Sequence, residues 1–448
     1  MPGRNIGLFI SLAAIFWSCL LRADDRPNII LILADDLGYA DLGAYGNKAN
    51  RTPHLDRMAR EGMRFTDFHS NGANCSPTRA AILTGQYQQR CGIESALGED
   101  AKGLPKDTVT VAERLHEAGY ATGITGKWHL GYAPDNSPLR HGFGEFVGHL
   151  HGATDYHSHV NRYGRMDWWH GEKQVKEIGY NTTLITKHSV RFIEEHRDKP
   201  FFLFVSHSAV HFPWMTPDDN PHQVEGQRYE SLLAKLGPHA KGPVQPIVQR
   251  MVEELDRNVG DIMHTVERLK LHRNTLVFFT SDNGGILSMA GLPVKPENRI
   301  SINDPLRGQK HDLYEGGHRV PAIAWWPGKI QPARVSTELT ATFDLMPTFL
   351  DLAGIEFDPS QLDGVSLADH LLAGKGVLER TLYWRRGKSK AVRWKNWKLV
   401  RIRERPFELY DLNTDQRERN NLANERREVK DELLTRLKTW EEQFEATR

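Results

Sequence analysis

Apolar and polar positions fall in blocks along this chain. Asn28–Ala34 (Asn-Ile-Ile-Leu-Ile-Leu-Ala) is an almost unbroken apolar run that stops at Asp35-Asp36-Leu37-Gly38. A run without polar alternation predicts a strand covered on both faces, as in a parallel sheet. Similar runs at Phe201–Ser206, Thr275–Ser281 and Pro321–Trp325 predict more strands of this kind. Helical spacing fills the intervals. Val248, Met251, Val252, Leu255, Val259 and Ile262 mark one face of a long helix. Thr183–Glu195 predicts another, and Val109–Ala118 a third, with Asp107-Thr108 as its cap. A further helix follows Cys75-Ser76-Pro77-Thr78-Arg79, because proline suits a first turn where no N–H is needed. Cys75 then sits at or just before a helix N-terminus, where free N–H groups and the dipole favour an anion and would lower a thiol pKa.

Alternating helices and buried strands predict an α/β fold. Ligands bind such sheets at the carboxyl ends of the strands. Asp35-Asp36, His207–His211 and Asp282-Asn283 each follow a predicted strand, so order alone brings them to one edge. Beyond Leu362–Lys375 the texture changes. Tyr383-Trp384, Ala391–Trp394, Trp397–Ile402 and Phe407–Leu412 read as short strands, and Glu428–Phe444 as a closing helix. The expected division is a signal peptide at 1–23, a main unit at 24–365 and a smaller C-terminal subdomain at 366–448.

The composition changes this picture little. The chain has 448 residues, 39% hydrophobic and 26% charged, which allows a large core and more than one domain. A net charge of +1 gives no electrostatic case for nucleic acid or a membrane surface. The N-terminus adds a compartment. Arg4, the apolar Ile6–Leu21 and Ala23 before Asp24-Asp25 read as a secretory signal, and the apolar part is shorter than the roughly 20 residues that a stable membrane anchor needs. The protein is expected to be secreted or periplasmic. Cys75 and Cys91 remain after cleavage, and a bridge between them would contribute about 3 kcal/mol.

Asp35, Asp36, Asp282 and Asn283 supply three carboxylates and an amide oxygen, hard donors that suit Ca²⁺ or Mg²⁺ rather than zinc. Thr125-Gly126-Lys127-Trp128-His129-Leu130-Gly131 places Lys127 and His129 two positions apart, on one face if the backbone stays extended. His211 lies two residues before Pro213. Lys310 lies in Arg307-Gly308-Gln309-Lys310, ahead of Tyr314-Glu315-Gly316-Gly317-His318. His149, His151, His157, His159 and Trp168-Trp169-His170 form a dense ring-bearing stretch, which reads as a substrate-facing insertion because such rings stack on sugars. Asn181-Thr182-Thr183 is a glycosylation sequon.

The Cys-x-Pro-Thr-Arg segment with its trailing Leu-Thr-Gly, together with Gly-Lys-x-His and the Asp-Asp and Asp-Asn pairs, resembles the type I sulfatases of the alkaline phosphatase superfamily. The resemblance runs from Asn28 to about Asn421. It implies a large, mixed, mainly parallel sheet sandwiched by helices, with a smaller C-terminal antiparallel sheet. It implies that a maturation enzyme oxidises Cys75 to Cα-formylglycine, whose hydrate is the nucleophile. Ca²⁺, with Mg²⁺ as the alternative, would be held by Asp35, Asp36, Asp282, Asn283 and the modified Cys75. Arg79 would hold the formylglycine, Lys127 and Lys310 would bind sulfate, His211 would contact the substrate and His129 would act as base. The substrate would be a sulfated carbohydrate. The alternative within the superfamily is a phosphatase or phosphodiesterase, which carries Ser or Thr as nucleophile and usually two zinc ions.

Overall fold

The computed structural model describes residues 26–445, apart from 230, 232, 233, 235, 240 and 289–298. The expected signal peptide lies outside the described residues. Among them, no helix is long and apolar enough to cross a membrane.

Ten strands form one sheet. Its centre is β1 (Asn28–Ala34), with every residue buried. Next come the short β2 (Met63–Phe65) and β3 (Phe68–His69), then β4 (Ala121–Lys127), β5 (Glu145–His149), β6 (Trp169–His170) and β7 (Lys173–Gln174). They are followed by β8 (Phe201–Ser206), β9 (Thr275–Ser281), β10 (Ala322–Trp325), β11 (Arg334–Ser336) and β12 (Thr340–Ala341). The order across the large sheet is β11-β2-β10-β9-β1-β8-β4-β5-β6-β7, while β3 and β12 pair separately. The middle strands β9, β1, β8, β4 and β5 are parallel, and β10, β6 and β7 join antiparallel at the flanks.

Strand β1 explains the two covered faces. Its side chains alternate, so Ile30, Ile32 and Ala34 point one way and Ile29, Leu31 and Leu33 the other. The first set packs with α1 (Pro53–Glu61), α4 (Asn181–Glu195) and α5 (Gln245–Arg268). The second packs with α2 (Cys75–Thr84), α3 (Val111–Glu117) and α7 (Leu345–Leu352), the latter preceded by the single turn α6 (Glu315–His318). Each such side chain taken from water contributes about 1.5–3 kcal/mol.

The C-terminal strands β13 (Thr381–Arg386), β14 (Ser389–Trp394), β15 (Trp397–Arg401) and β16 (Glu408–Asp411) make a four-stranded antiparallel sheet. Between the two sheets lies α8 (Ala368–Ala373), whose Leu371 belongs to the core of the large sheet. The closing helix α9 (Arg427–Glu445) packs Leu433, Leu437 and Trp440 against the small sheet and against Ala73, Ala81 and Tyr87 of the main body.

Several local expectations are corrected. Helix α3 starts at Val111, and its cap is Thr110, whose hydroxyl accepts from Glu113 N at 3.1 Å; Val109 is half exposed and outside the helix. Cys75 and Cys91 are both free. Asn181 is fully buried in α4, so the folded chain offers no acceptor at that sequon. The 149–170 stretch turns some of its rings inward, while His151, His157 and Trp169 are half-buried and His170 is exposed. Trp168 is fully buried, His159 stacks on it at 4.6 Å, and His149 is buried against Ser208. Interior packing and hydrogen bonding account for His149, His159 and Trp168.

Candidate active site

The parallel strands end together, and the polar residues that follow them meet there. Asp35 and Asp36 leave β1, Lys127 ends β4, Ser206 ends β8, and Asp282 and Asn283 follow β9. Asp36 turns sharply, with φ 62°, so its carboxylate and that of Asp35 serve different partners. Helix α2 delivers Cys75 as its first residue, after Asn74 in extended conformation.

Cys75 Sγ lies 3.6 Å from Asp35 Oδ1 and 3.5 Å from Lys310 Nζ. Lys127 Nζ meets Asp35 Oδ2 at 2.5 Å, and Lys310 Nζ meets Asp36 Oδ1 at 2.6 Å. Arg79, one turn along α2, clamps Asp282 Oδ2 through two nitrogens at 2.9 and 3.2 Å. The same guanidinium donates to Lys127 O at 3.0 Å and Ser206 Oγ at 2.6 Å, which ties α2, β4 and β8 together. His211 Nε2 stands 3.7 Å from Asp36 Oδ2. All of these side chains are buried.

Among the sequence-predicted residues, nine converge in this way: Asp35, Asp36, Cys75, Arg79, Lys127, His211, Asp282, Asn283 and Lys310. His129 stands differently. It has φ 59°, so the backbone leaves the extended path after β4 and the alternation argument does not apply. Its Nε2 faces Leu97 O at 3.3 Å, its ring lies against Gly152, and its Nδ1 is buried without a partner. It remains within electrostatic reach of Lys127, Arg79 and His211.

Electrostatics overturn the expectation of an activated thiol. Burial pushes Cys75 up to about 12; Lys127 and Lys310 pull the other way but do not compensate, and Asp35 adds to the rise. Burial outweighs the helix terminus here. Burial also opposes ionisation of Asp36, yet Lys310 and His211 prevail and hold its carboxyl below the usual range. Asp282 is raised by burial and by Asp35, against Arg79 and both lysines. Burial, then Lys127, keeps His129 well below the normal imidazole value; burial, then Lys310, does the same for His211.

The donor set fits a hard divalent cation. Asp36 Oδ2 and Asn283 Oδ1 are buried oxygens with no hydrogen-bond partner. Buried acceptors are rarely left so. Both belong to the same cluster, since Asn283 Nδ2 donates to Asp36 Oδ1 at 2.7 Å. Asp36, with Asp35, Cys75 and His211, also forms a group of metal-ligating atoms within 4.8 Å of one another.

A sulfatase family model matches residues 27–355. The chain belongs to the sulfatase family. A second model, for the C-terminal part of N-sulphoglucosamine sulphohydrolase, matches residues 309–443. This sulfatase is 36% identical over 389 residues to N-acetylgalactosamine-6-sulfatase of Canis lupus familiaris, covering 82% of the chain and 69% of the relative. It is 37% identical over 400 residues to arylsulfatase A of Bos taurus, covering 81% and 71%. Among solved structures, Ps i-CgsB superposes with a TM-score of 0.82 at 29% identity, covering 93% of this chain and 92% of the other. The chain is thus a sulfuric ester hydrolase with an alkaline-phosphatase-like fold. A phosphonate monoester hydrolase of Agrobacterium radiobacter shares the fold alone, with a TM-score of 0.64 at 20% identity.

One site neighbour escaped the sequence reading, and another was read only as part of the ring-bearing stretch. Ser206 holds Arg79, and it was legible only as the last residue of a strand. His149 donates to or accepts from Ser208 Oγ at 2.7 Å, and its crowd of neighbouring histidines concealed it.

Proposed function

We propose that this enzyme hydrolyses sulfate esters of a sulfated carbohydrate, with residue 75 as formylglycine and Ca²⁺ at Asp35, Asp36, Asp282 and Asn283. The observation that carries this reading is the double engagement of Lys310, 3.5 Å from Cys75 Sγ and 2.6 Å from Asp36 Oδ1, beside two unpaired acceptor oxygens. Ps i-CgsB in complex with k-i-k-neocarrahexaose and the N-acetylgalactosamine-6-sulfatases support the carbohydrate class.

A bound Ca²⁺ supplies Lewis-acid polarisation of the S–O bonds. Formylglycine supplies a hydrated aldehyde, with one hydroxyl to attack sulfur and a second through which sulfate is later released. A thiol pushed up to about 12 is neutral at pH 7 and a poor nucleophile, so the unmodified side chain would not carry this step. Arg79 and Lys127 fix the carboxylates around residue 75 by charge-assisted bonds. Lys127 and Lys310 bind the sulfonyl oxygens where negative charge gathers. A sugar alkoxide leaves badly, so it needs a proton as the S–O bond breaks; His211, neutral in the resting site, takes up a proton as the anionic ester binds and delivers it through Nε2 from the side of Asp36. His129, kept neutral by burial and Lys127, takes the proton from the second hydroxyl of residue 75. We assign residues 24–365 to the catalytic unit and 366–448 to a C-terminal one, and place the protein outside the cytoplasm on its leader-like N-terminus.

The test is a screen of defined sulfated mono- and disaccharides for sulfate release, using protein co-expressed with a formylglycine-generating enzyme, with phosphate esters in parallel. Sulfate release that tracks the formylglycine fraction, measured by mass spectrometry of the Phe65–Arg79 tryptic peptide, is expected. Full activity with an unmodified thiol, or preference for phosphate, would overturn the reading.

A further inference from the structure

Lys398 in β15 and Glu418 after β16 belong to the C-terminal sheet region, yet both are completely buried. Lys398 Nζ reaches Glu315 Oε1 at 2.9 Å, Glu418 Oε1 at 3.0 Å and His318 Nε2 at 3.1 Å. An ammonium only donates, so His318 Nε2 accepts and His318 Nδ1 carries the proton. That proton is donated to His69 Nδ1, 3.0 Å away, and His69 Nε2 in turn donates to Asp67 Oδ1 at 2.9 Å. This set of tautomers serves every link from Lys398 to Asp67 and leaves only the longer approach of His318 Nε2 to Leu313 O, at 3.3 Å, without a proton. Arg393 of β14 closes it by binding Asp67 Oδ2 at 3.2 Å. His69, Glu315 and His318 bring three metal-ligating atoms together. The Lys398 ammonium already serves Glu315 and His318 there, so the cluster is held by a cation of the chain itself.

What this network grips is the turn α6. Glu315 N donates to Glu418 Oε2 at 2.8 Å. Gly317 O accepts from Gly284 N at 3.0 Å, next to Asn283. Gly316 N donates to Arg307 O at 2.7 Å, at the start of the Lys310 loop. His318 O accepts from Ser70 N at 2.7 Å, and Ser70 Oγ bonds Gly72 O on the way to Cys75. Three segments of the site therefore lean on one turn.

We propose that Lys398 and Glu418 are positioning residues, through which the C-terminal sheet fixes Asn283, Lys310 and residue 75 relative to one another by way of α6. The activity readout rests on the sulfatase reading above; Ca²⁺ affinity does not depend on turnover. Lys398→Met and Glu418→Gln are compared with the parent and with Lys388→Met, a lysine exposed on the same sheet. Both Glu418 oxygens are used, one by Lys398 and one by Glu315 N, and an amide offers only one. Each variant is matched for formylglycine content. Calorimetric Ca²⁺ affinity and kcat, measured far below Tm, are expected to fall about tenfold or more in both buried variants and to stay unchanged in Lys388→Met. A lowered Tm with Ca²⁺ affinity and kcat within about twofold of the parent would overturn the proposal, because a merely structural role lowers stability and leaves the affinity and rate of the site in place. If Lys398→Met does not fold, Glu418→Gln decides by itself. If the parent binds Ca²⁺ but releases no sulfate, the functional reading fails while the affinity comparison still decides this one.

Discussion

At the scale of single residues, the site is an arrangement of charges removed from water. Arg79 and Asp282 are 1% and 0% exposed, so neither tolerates losing the other. Breaking such a pair costs about 3–5 kcal/mol, because the remaining charge stays buried. Arg79→Ala is therefore expected to lower Tm sharply. Lys310→Met removes the buried partner of Asp36 and should lower it too. Its kcat should drop by about 10²–10³, the usual loss when a charge-stabilising donor is removed. Steady-state kinetics with matched formylglycine content checks this. His141 and His207 are buried with both ring nitrogens unpaired, and burial lowers them to about 4 and about 3. The unfolded chain binds their protons more tightly. Their contribution to stability is thus complete above the unfolded value of 6.5 and is lost as pH falls below it. At pH 5 each should cost about 2 kcal/mol. Scanning calorimetry should show Tm falling from pH 7 to pH 5, with a shallower fall in His141→Phe, whose ring keeps the packing on Trp128.

At the scale of elements, strands and turns approach so closely that backbone alone fits. A Cβ on Gly284 would stand 1.8 Å from Gly316 O, while one on Gly46 meets nothing. Gly284→Ala is expected to raise the Ca²⁺ concentration for half-maximal activity at least about tenfold by displacing Asn283. Gly46→Ala, with φ 98° but open space, should cost only about 1 kcal/mol and leave that concentration unchanged. A Ca²⁺ titration of activity for both variants separates the outcomes. Elements also explain what the chain alone revealed. β1, β8 and β9 were legible because strands covered on both faces must be apolar throughout. The cap of α3 was misplaced because Asp107, Thr108 and Thr110 are all plausible caps, and only Thr110 faces a free N–H. The thiol was misjudged because helix-terminal position is a local property, whereas desolvation depends on everything packed around it.

At the scale of the whole molecule, three buried carboxylates and one amide gather from two adjacent pairs, with Asp282 and Asn283 lying 246 and 247 positions from Asp36, and they hold together against their mutual repulsion through Lys127, Lys310 and Arg79. A divalent ion adds to that balance. Chelation with EGTA is expected to abolish sulfate release and lower Tm, and Ca²⁺ in excess should restore both; saturation at 100 times Kd adds about 2.7 kcal/mol. Unchanged Tm after exhaustive chelation would remove the cation from the account. The sequence by itself determined the α/β class, the identity of the chemical side chains and the strands that carry them, because period, apolar content and residue type are local. Only the tertiary structure decided which charges neutralise which, that burial at position 75 disfavours a thiolate, that His129 leaves the strand, and that Lys398 reaches across to the turn behind the site. Those depend on distance and on loss of water, and neither exists until the sheet has closed its helices around it.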